Sequence, residues 1–462
     1  MPQLSKEDSL TRIAPAQGTR KGHHRFVSSA VWIATLSAIT GLATLGRESV
    51  TAHFFGRADQ IEAFLVAALI PMFLINAAGN SIGAGFVPTL LAVRHDHGQR
   101  SASDLTAAFF LSSLGLIAAA MLASAIFFPF LLPFIARGFD DAKLDLARRL
   151  FYWLLPVVAI DAIGKFWLAV LNGYEQFAAG SLMPIAVPLS VIAFVGLAPE
   201  AERLQYLMYG VVAGFTLQLI GAVSLAARMR LLRRPTLPRG VKPLLAQASS
   251  QYFAMLGGTL TLMLLEVVDT TFAARQGTGT VAAVNYASKL AVLILGFVGS
   301  ALATAVVPYY ARLRKEGTIA EQGNFVRFGE ILTLGGGTAL AIVLALISTA
   351  MVAAVFGGGR FGTEDIAAVS TLNSLYVLQA PAYLAGVVYG RLLLVEGQSR
   401  ALLVGAIFSV ACAVVANVIL GPVLGSAAIP ISAAIAYLAS AIWLRIRLKA
   451  TLQTRRFPQR AS

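Results

Sequence analysis

Eight ionisable side chains stand within, or at the ends of, stretches otherwise apolar enough to sit in lipid: Arg47, Glu48, Glu62, Asp161, Lys165, Glu266, Asp269 and Lys289. An ionised group in the hydrocarbon region costs roughly 2.5–3.5 kcal/mol on insertion scales, so such residues face a partner or a polar cavity. Arg47 and Lys289 can hold phosphate, arginine through a planar fork and lysine as a point charge. Asp161 and Lys165 stand four apart, on one face of a helix, where they can neutralise each other or couple to substrate or protons. Glu266 and Asp269, three apart, also share a face; with no cation nearby in sequence they invite Lys289, a sodium ion or a proton.

Three residues near the first polar break have readings of their own. Arg47 ends an apolar run and either reaches the outer headgroups or faces a cavity. Glu48 beside it is expected to face water. Glu62, near the start of the next run, is expected to pair with Arg47 or Arg57. Pro71, Gly79, Gly83 and Gly85 follow in that run at spacings that bend a helix or let it pack closely.

The elements that must position these groups are membrane helices. Of the 462 residues 57% are hydrophobic and only 13% charged, more apolar surface than a water-soluble domain can hide. A bilayer core of roughly 30 Å needs about 20 apolar residues per helix, and twelve such windows occur. The alternating short strands of a membrane barrel are absent. The fold class is therefore all-α, a polytopic membrane protein of about twelve transmembrane helices.

Residues 1–25 read as a basic tail. The apolar run from Phe26 to Leu45 is too long for a signal core and lacks a small-residue cleavage site, so it reads as an uncleaved first helix. Counted over alternate segments starting with that tail, 25 of the 36 Lys and Arg fall on one side and 9 on the other, Lys165 and Lys289 lying inside helices. That asymmetry puts both termini in the cytoplasm. The net charge of +14 is then accounted for by basic loops beside anionic lipid, and no nucleic-acid partner is expected.

Enzyme chemistry finds no support. There is no phosphate-binding glycine loop of Walker type, no nucleophile elbow and no His-Glu helix pair. The single cysteine, Cys412, allows no internal disulfide, and the five histidines have no zinc spacing. No cofactor or metal is expected, and any energy input must come from the membrane potential, a cation gradient or the substrate gradient.

The chain repeats itself. A displacement of 220 residues lays Gly79 on Gly299, Pro88 on Pro308 and Arg94 on Arg314, and the polar link Asn172–Gln176 meets Glu396–Ser399 a few residues out of step. Two six-helix lobes follow, residues 26–230 and 244–448, joined by a basic linker at 231–243 and followed by a basic tail at 449–462. An even helix number makes both copies enter the membrane in the same direction, with a cavity between them lined by helices 1, 2, 7 and 8.

Arg47-Glu48, the FFG at 54–56, Glu62-Ala63-Phe64, Pro71 and the Phe-Val-Pro ending at Pro88 resemble the MurJ/MviN lipid II flippases of the multidrug/oligosaccharidyl-lipid/polysaccharide exporter superfamily. In the second copy Asp269 to Phe272, Asn285-Tyr286-Ala287 and Gly296 to Pro308 are similar to that family's seventh and eighth helices. The resemblance implies alternating-access export of a polyprenyl (undecaprenyl) diphosphate-linked glycan, lipid II or a related exopolysaccharide intermediate, across the bacterial inner membrane. Membrane lipids and envelope-biosynthesis enzymes are its implied partners.

It also implies cavity roles for Arg47 and Glu62. An earlier family arginine of the first helix is Gly41 here, the paired arginines after the helix-two proline are Ile75 and Asn76, the following glutamate is Asn80, and an Asp-Arg pair of the second copy is Ser288 and Lys289. The substrate-binding set implied by the resemblance is thus Arg47, Glu62, Asn76, Asn80 and Lys289, with Asp161, Lys165, Glu266 and Asp269 as ion- or proton-coupling residues. The other readings are a cation-coupled drug or small-molecule exporter of the same superfamily, in which Glu266 and Asp269 take the main role, and a non-transporting scaffold.

Overall fold

A computed structural model describes residues 18–232 and 241–456. The start of the expected N-terminal tail, most of the basic linker and the last six residues lie outside the described residues. The helices are α1 (Gly18–Phe55), α2 (Asp59–Ser81), α3 (Val87–Ile135), α4 (Asp141–Gly173), α5 (Phe177–Leu182), α6 (Ala186–Leu197), α7 (Arg203–Arg228) and α8 (Val241–Ala273). They continue as α9 (Thr280–Glu316), α10 (Ile319–Ile331), α11 (Gly337–Phe356), α12 (Thr363–Tyr376), α13 (Ala380–Val395), α14 (Ser399–Leu424) and α15 (Ala428–Arg456). Among the described residues the only β pairing is an isolated bridge between Gly358 and Phe361. The all-helical class is observed.

Nine stretches of the described residues are long and apolar enough to cross a membrane. The last, Ser399–Arg455, turns back at Gly425, whose φ is +57°, and so supplies both α14 and α15. With α1 at 38 residues and α8 at 33, the twelve expected crossings each have a helix. Two details differ from expectation. α1 begins at Gly18, ahead of Phe26, and several crossings are broken rather than continuous. A π-helical turn at Ile82–Phe86 joins α2 to α3, another at Leu332–Gly336 joins α10 to α11, and tight 3-10 turns beside Pro184 and Pro381 divide α5 from α6 and α12 from α13. Glycine and proline explain the breaks, since one frees the backbone and the other removes an N–H.

The two polar links close with the same kind of turn, which also ends α7, where Leu231 N–H donates to Ala226 C=O at 3.0 Å. Gln176 N–H donates to Leu171 C=O at 3.0 Å, and Gln398 N–H to Leu393 C=O at 2.8 Å. Both turns carry a left-handed residue, Glu175 at φ +64° and Gly397 at φ +77°.

In the first half α4 packs on α2, α3 and α7, and α6 on α7 and α1; in the second, α15 packs on α14 and α13, and α9 on α12 and α13. α8 lies against both halves, on α14 on one side and on α2, α3 and the Ile82–Phe86 turn on the other. Phe86 stacks on Phe109 at a centroid distance of 4.2 Å, and Tyr252 of α8 meets Phe109 edge-on at 5.5 Å. Such contacts, worth about 0.5–1.5 kcal/mol each beyond area burial, matter in a bundle whose outer apolar face gains little from leaving lipid. That outer face includes Phe127, Phe130 and Phe134 of α3, all exposed.

Candidate functional site

The α1–α2 turn, the start of α9 and the loop between α11 and α12 meet at one end of the bundle. Glu62 is fully buried there. Its carboxylate accepts hydrogen bonds from the backbone N–H groups of Gly279 at 2.8 Å, Val281 at 2.7 Å and Ala282 at 3.3 Å. These are unpaired donors of the first turn of α9, where the helix dipole also favours an anion. Gly279 holds φ +80°, which a glycine adopts without strain. The Lys143 ammonium completes the carboxylate's shell and also donates to Asp59 at 2.7 Å. Glu62 thus joins the halves through the α9 backbone, with Lys143 of its own half as counter-charge, and the expected pairing with Arg47 or Arg57 is not what forms. Both arginines are engaged elsewhere: Arg47 pairs with its neighbour Glu48, and Arg57 is drawn away to Asp365 of α12.

More contacts between the halves surround this latch. Ser49 donates to the Val355 carbonyl, Tyr286 to the Gly56 carbonyl at 3.2 Å, Arg360 N–H to the His53 carbonyl at 2.8 Å, and the Arg360 side chain to Glu200 at 2.7 Å. Beside them a cleft of about 390 Å³ is lined by residues that include Arg57, Gly279, Arg360 and Asp365.

Further into the bundle, Arg47 donates to Glu48, and Glu48 lies near enough to Lys289 of α9 to interact with its charge. The Lys289 ammonium stands 3.6 Å from the Glu266 carboxylate of α8. Arg47 is eight residues from the end of α1 and Lys289 nine residues into α9, which puts both about 12–14 Å from the latch end at 1.5 Å per residue. Glu48, expected to face water, is buried at 7% exposure. The Arg47 guanidinium takes the place of solvent at its carboxylate. Arg47, Glu48, Lys289 and Glu266 therefore make a charge cluster with members from both halves, each cation already facing an acid.

Asp269 goes elsewhere than the expected lysine. One oxygen accepts from the Tyr376 hydroxyl at 3.2 Å, and the other is buried without a hydrogen-bond partner among the described residues. The expected Asp161–Lys165 pair forms at 3.1 Å. Asp161 is fully buried, accepting from Gln218 of α7 at 2.7 Å, and Lys165 also donates to Asn76 of α2 at 3.2 Å. The Asn80 side chain lies outside the described residues. Of the glycines in this helix, Gly79 allows a close approach, since a Cβ there would run into Lys165 Cδ, whereas Gly83 faces open space.

Lys143, Gln218, Asp365 and Tyr376 were missed from the sequence. Lys143 reads as one of four basic residues in a polar connection; Asp140, which caps α4 by accepting from Lys143 N–H at 2.8 Å, marks a helix start there but not the inward turn of the lysine. The Gly277-Thr278-Gly279 run ahead of α9 was the available signal for an anion seat.

These contacts position no nucleophile and no general acid. They set charged side chains of the two halves against one another within a bundle of membrane helices, an arrangement that suits a membrane transporter. The backbone matches a solved structure described as lipid II flippase MurJ in an inward closed conformation, with a TM-score of 0.74 at 17% identity over 92% of this chain and 89% of that one. It also matches an inward-facing multidrug resistance MATE family transporter, with a TM-score of 0.70 at 15% identity over 91% and 99%. The family model for the lipid II flippase MurJ matches residues 51–460, and the chain belongs to that family. Curated relatives include the lipid II flippase MurJ of Burkholderia cenocepacia, 26% identical over 360 residues covering 74% of this chain and 67% of the relative. The probable lipid II flippases of Rhizobium meliloti, 29% identical over 370 residues (75% and 67%), and Thermotoga maritima, 23% identical over 429 residues (91% and 84%), are also similar.

Proposed function

We propose that this flippase carries a polyprenyl-diphosphate-linked glycan of the lipid II class outward across the bacterial inner membrane. Two six-helix lobes, residues 26–230 and 244–448, alternate access to a cavity between them. Both termini are cytoplasmic, and the Glu62 latch closes the periplasmic end. Arg47 and Lys289 hold the diphosphate, one from each lobe.

The observation that carries this reading is the Arg47–Glu48 and Lys289–Glu266 cluster. A diphosphate brings about two negative charges, and a facing cation is worth several-fold more in a cavity of lowered dielectric than in water. Glu48 and Glu266 balance the cations while the cavity is empty and give way to phosphate when it is filled. With one cation per lobe, binding draws the lobes together. Asp269, which has a buried oxygen free of hydrogen bonds, is the acid assigned to coupling with a cation gradient, and the membrane potential acts on whatever net charge crosses.

The test is the accumulation of lipid-linked intermediate in cells that depend on this chain. Arg47→Ala and Lys289→Ala, at matched membrane abundance, should each accumulate the intermediate, with Arg47→Lys milder. Export at the wild-type rate by both alanine variants would show that the diphosphate is held elsewhere.

A further inference from the structure

Lys165 of α4 is a helix cation used neither by the cluster at Arg47 and Lys289 nor by the Glu62 latch. Its ammonium is caged by Asp161 at 3.1 Å and Asn76 at 3.2 Å. A lysine has three donors; Asn76 takes one, the Asp161 oxygen beside it is an ion-pair partner without a hydrogen bond among the described residues, and the lysine side chain keeps 27% of its surface exposed. The acid is held from behind: Gln218 donates to its other oxygen at 2.7 Å, so Asp161 is not free to swing with its partner. The lysine stem crosses α2 where Gly79 has no side chain, and any Cβ there would block it. Three helices, α2, α4 and α7, are thus shaped around one ammonium with an open donor.

Its depth gives this ammonium a use. Asn76 is seventeen residues along α2 from Asp59, about 26 Å from the latch end and roughly 12 Å further from it than Arg47 and Lys289. A dianion crossing a region of low dielectric is stabilised only where a cation meets it, and a single pair of cations leaves most of the path bare. We infer that Lys165, with Asn76, forms a second phosphate-binding station on the α2–α4 face of the cavity, which a diphosphate meets before reaching Arg47 and Lys289. Asp161 keeps the station neutral when it is empty and fixes the ammonium in place. This inference rests on the proposed phosphate role of the cavity and adds a residue that the chain's own geometry supplies.

The experiment measures binding of undecaprenyl diphosphate to the purified full-length protein in lipid nanodiscs. Removing Lys165 alone would strand Asp161, so the informative variants are the double Asp161→Asn/Lys165→Met, which leaves no lone buried charge, and Gly79→Ala, which displaces the stem while keeping both charges. Each should weaken binding about tenfold, the loss expected for one charge-assisted hydrogen bond, while Lys165→Arg in the wild-type background retains part of the affinity. Unchanged affinity in both the double variant and Gly79→Ala, alongside weakened binding in Arg47→Ala, would overturn the inference and leave the proposed function standing. Unchanged affinity in all of them, Arg47→Ala included, would overturn both. A purely coupling role for the Asp161–Lys165 pair would show as altered pH dependence of transport with wild-type binding, and that result also counts against the station.

Discussion

Glu62 on α2 accepts a hydrogen bond from Val281 N–H at the start of α9, 219 residues later in the chain, at 2.7 Å. The carboxylate is fully buried, and its two kinds of partner differ in what motion does to them. Under the proposed alternating access, Lys143, on the same half, stays with it, and the α9 N–H groups, on the other half, leave when that end opens. The lysine keeps the carboxylate paired through the change, so the latch can open without stranding a bare charge.

Glu62→Gln removes the charge yet keeps the shape, leaving Lys143 buried and only partly compensated by Asp59. Breaking a buried ion pair from one side costs about 3–5 kcal/mol. The purified variant should melt well below wild type, and Glu62→Gln combined with Lys143→Met should recover part of the loss. A double variant no more stable than the single one would argue that the pair is not what holds this end.

Arg57 and Asp365 pair across the halves with 24% and 15% of their side chains exposed. Exchanging them, Arg57→Asp with Asp365→Arg, should restore transport that either single change lowers. No recovery in the exchange variant would show that the two residues act separately.

Gly359 holds φ +59° in the loop between α11 and α12, and a Cβ there would run into the His53 carbonyl at the end of α1. Gly359→Ala should push the loop off α1, with strain of roughly 1–3 kcal/mol, and break the Arg360 N–H to His53 bond. A cysteine introduced at Thr278 should then react faster with a membrane-impermeant thiol reagent. Equal rates in the variant and its parent would mean the loop does not seal this end.

Much of the fold was legible because membrane helices announce themselves by length and apolarity. Lys289 was one of three partners that Glu266 and Asp269 invited, whereas the Asp161–Lys165 pair within one helix could be read from spacing. The latch could not be, because its donors are backbone groups that carry no side-chain signature and its lysine sits in a connection that looks solvent-facing. Glu48 was misread for a related reason: its place at the end of an apolar run suggests water, while α1 continues to Phe55 and buries it. Asn76 drew notice through the resemblance, but its partner Lys165 comes from α4, a choice that only packing across Gly79 decides.

The central claim is that Arg47 and Lys289 hold one diphosphate together across the two halves. A double-mutant cycle on the affinity for undecaprenyl diphosphate, with wild type, Arg47→Ala, Lys289→Ala and both changes in nanodiscs, tests it most directly. Each single change should weaken binding by about tenfold or more, and the double variant should lose less than the product of the two, because a ligand released by one half no longer reports on the other. Wild-type affinity in both single variants, or losses that multiply independently, would contradict the claim.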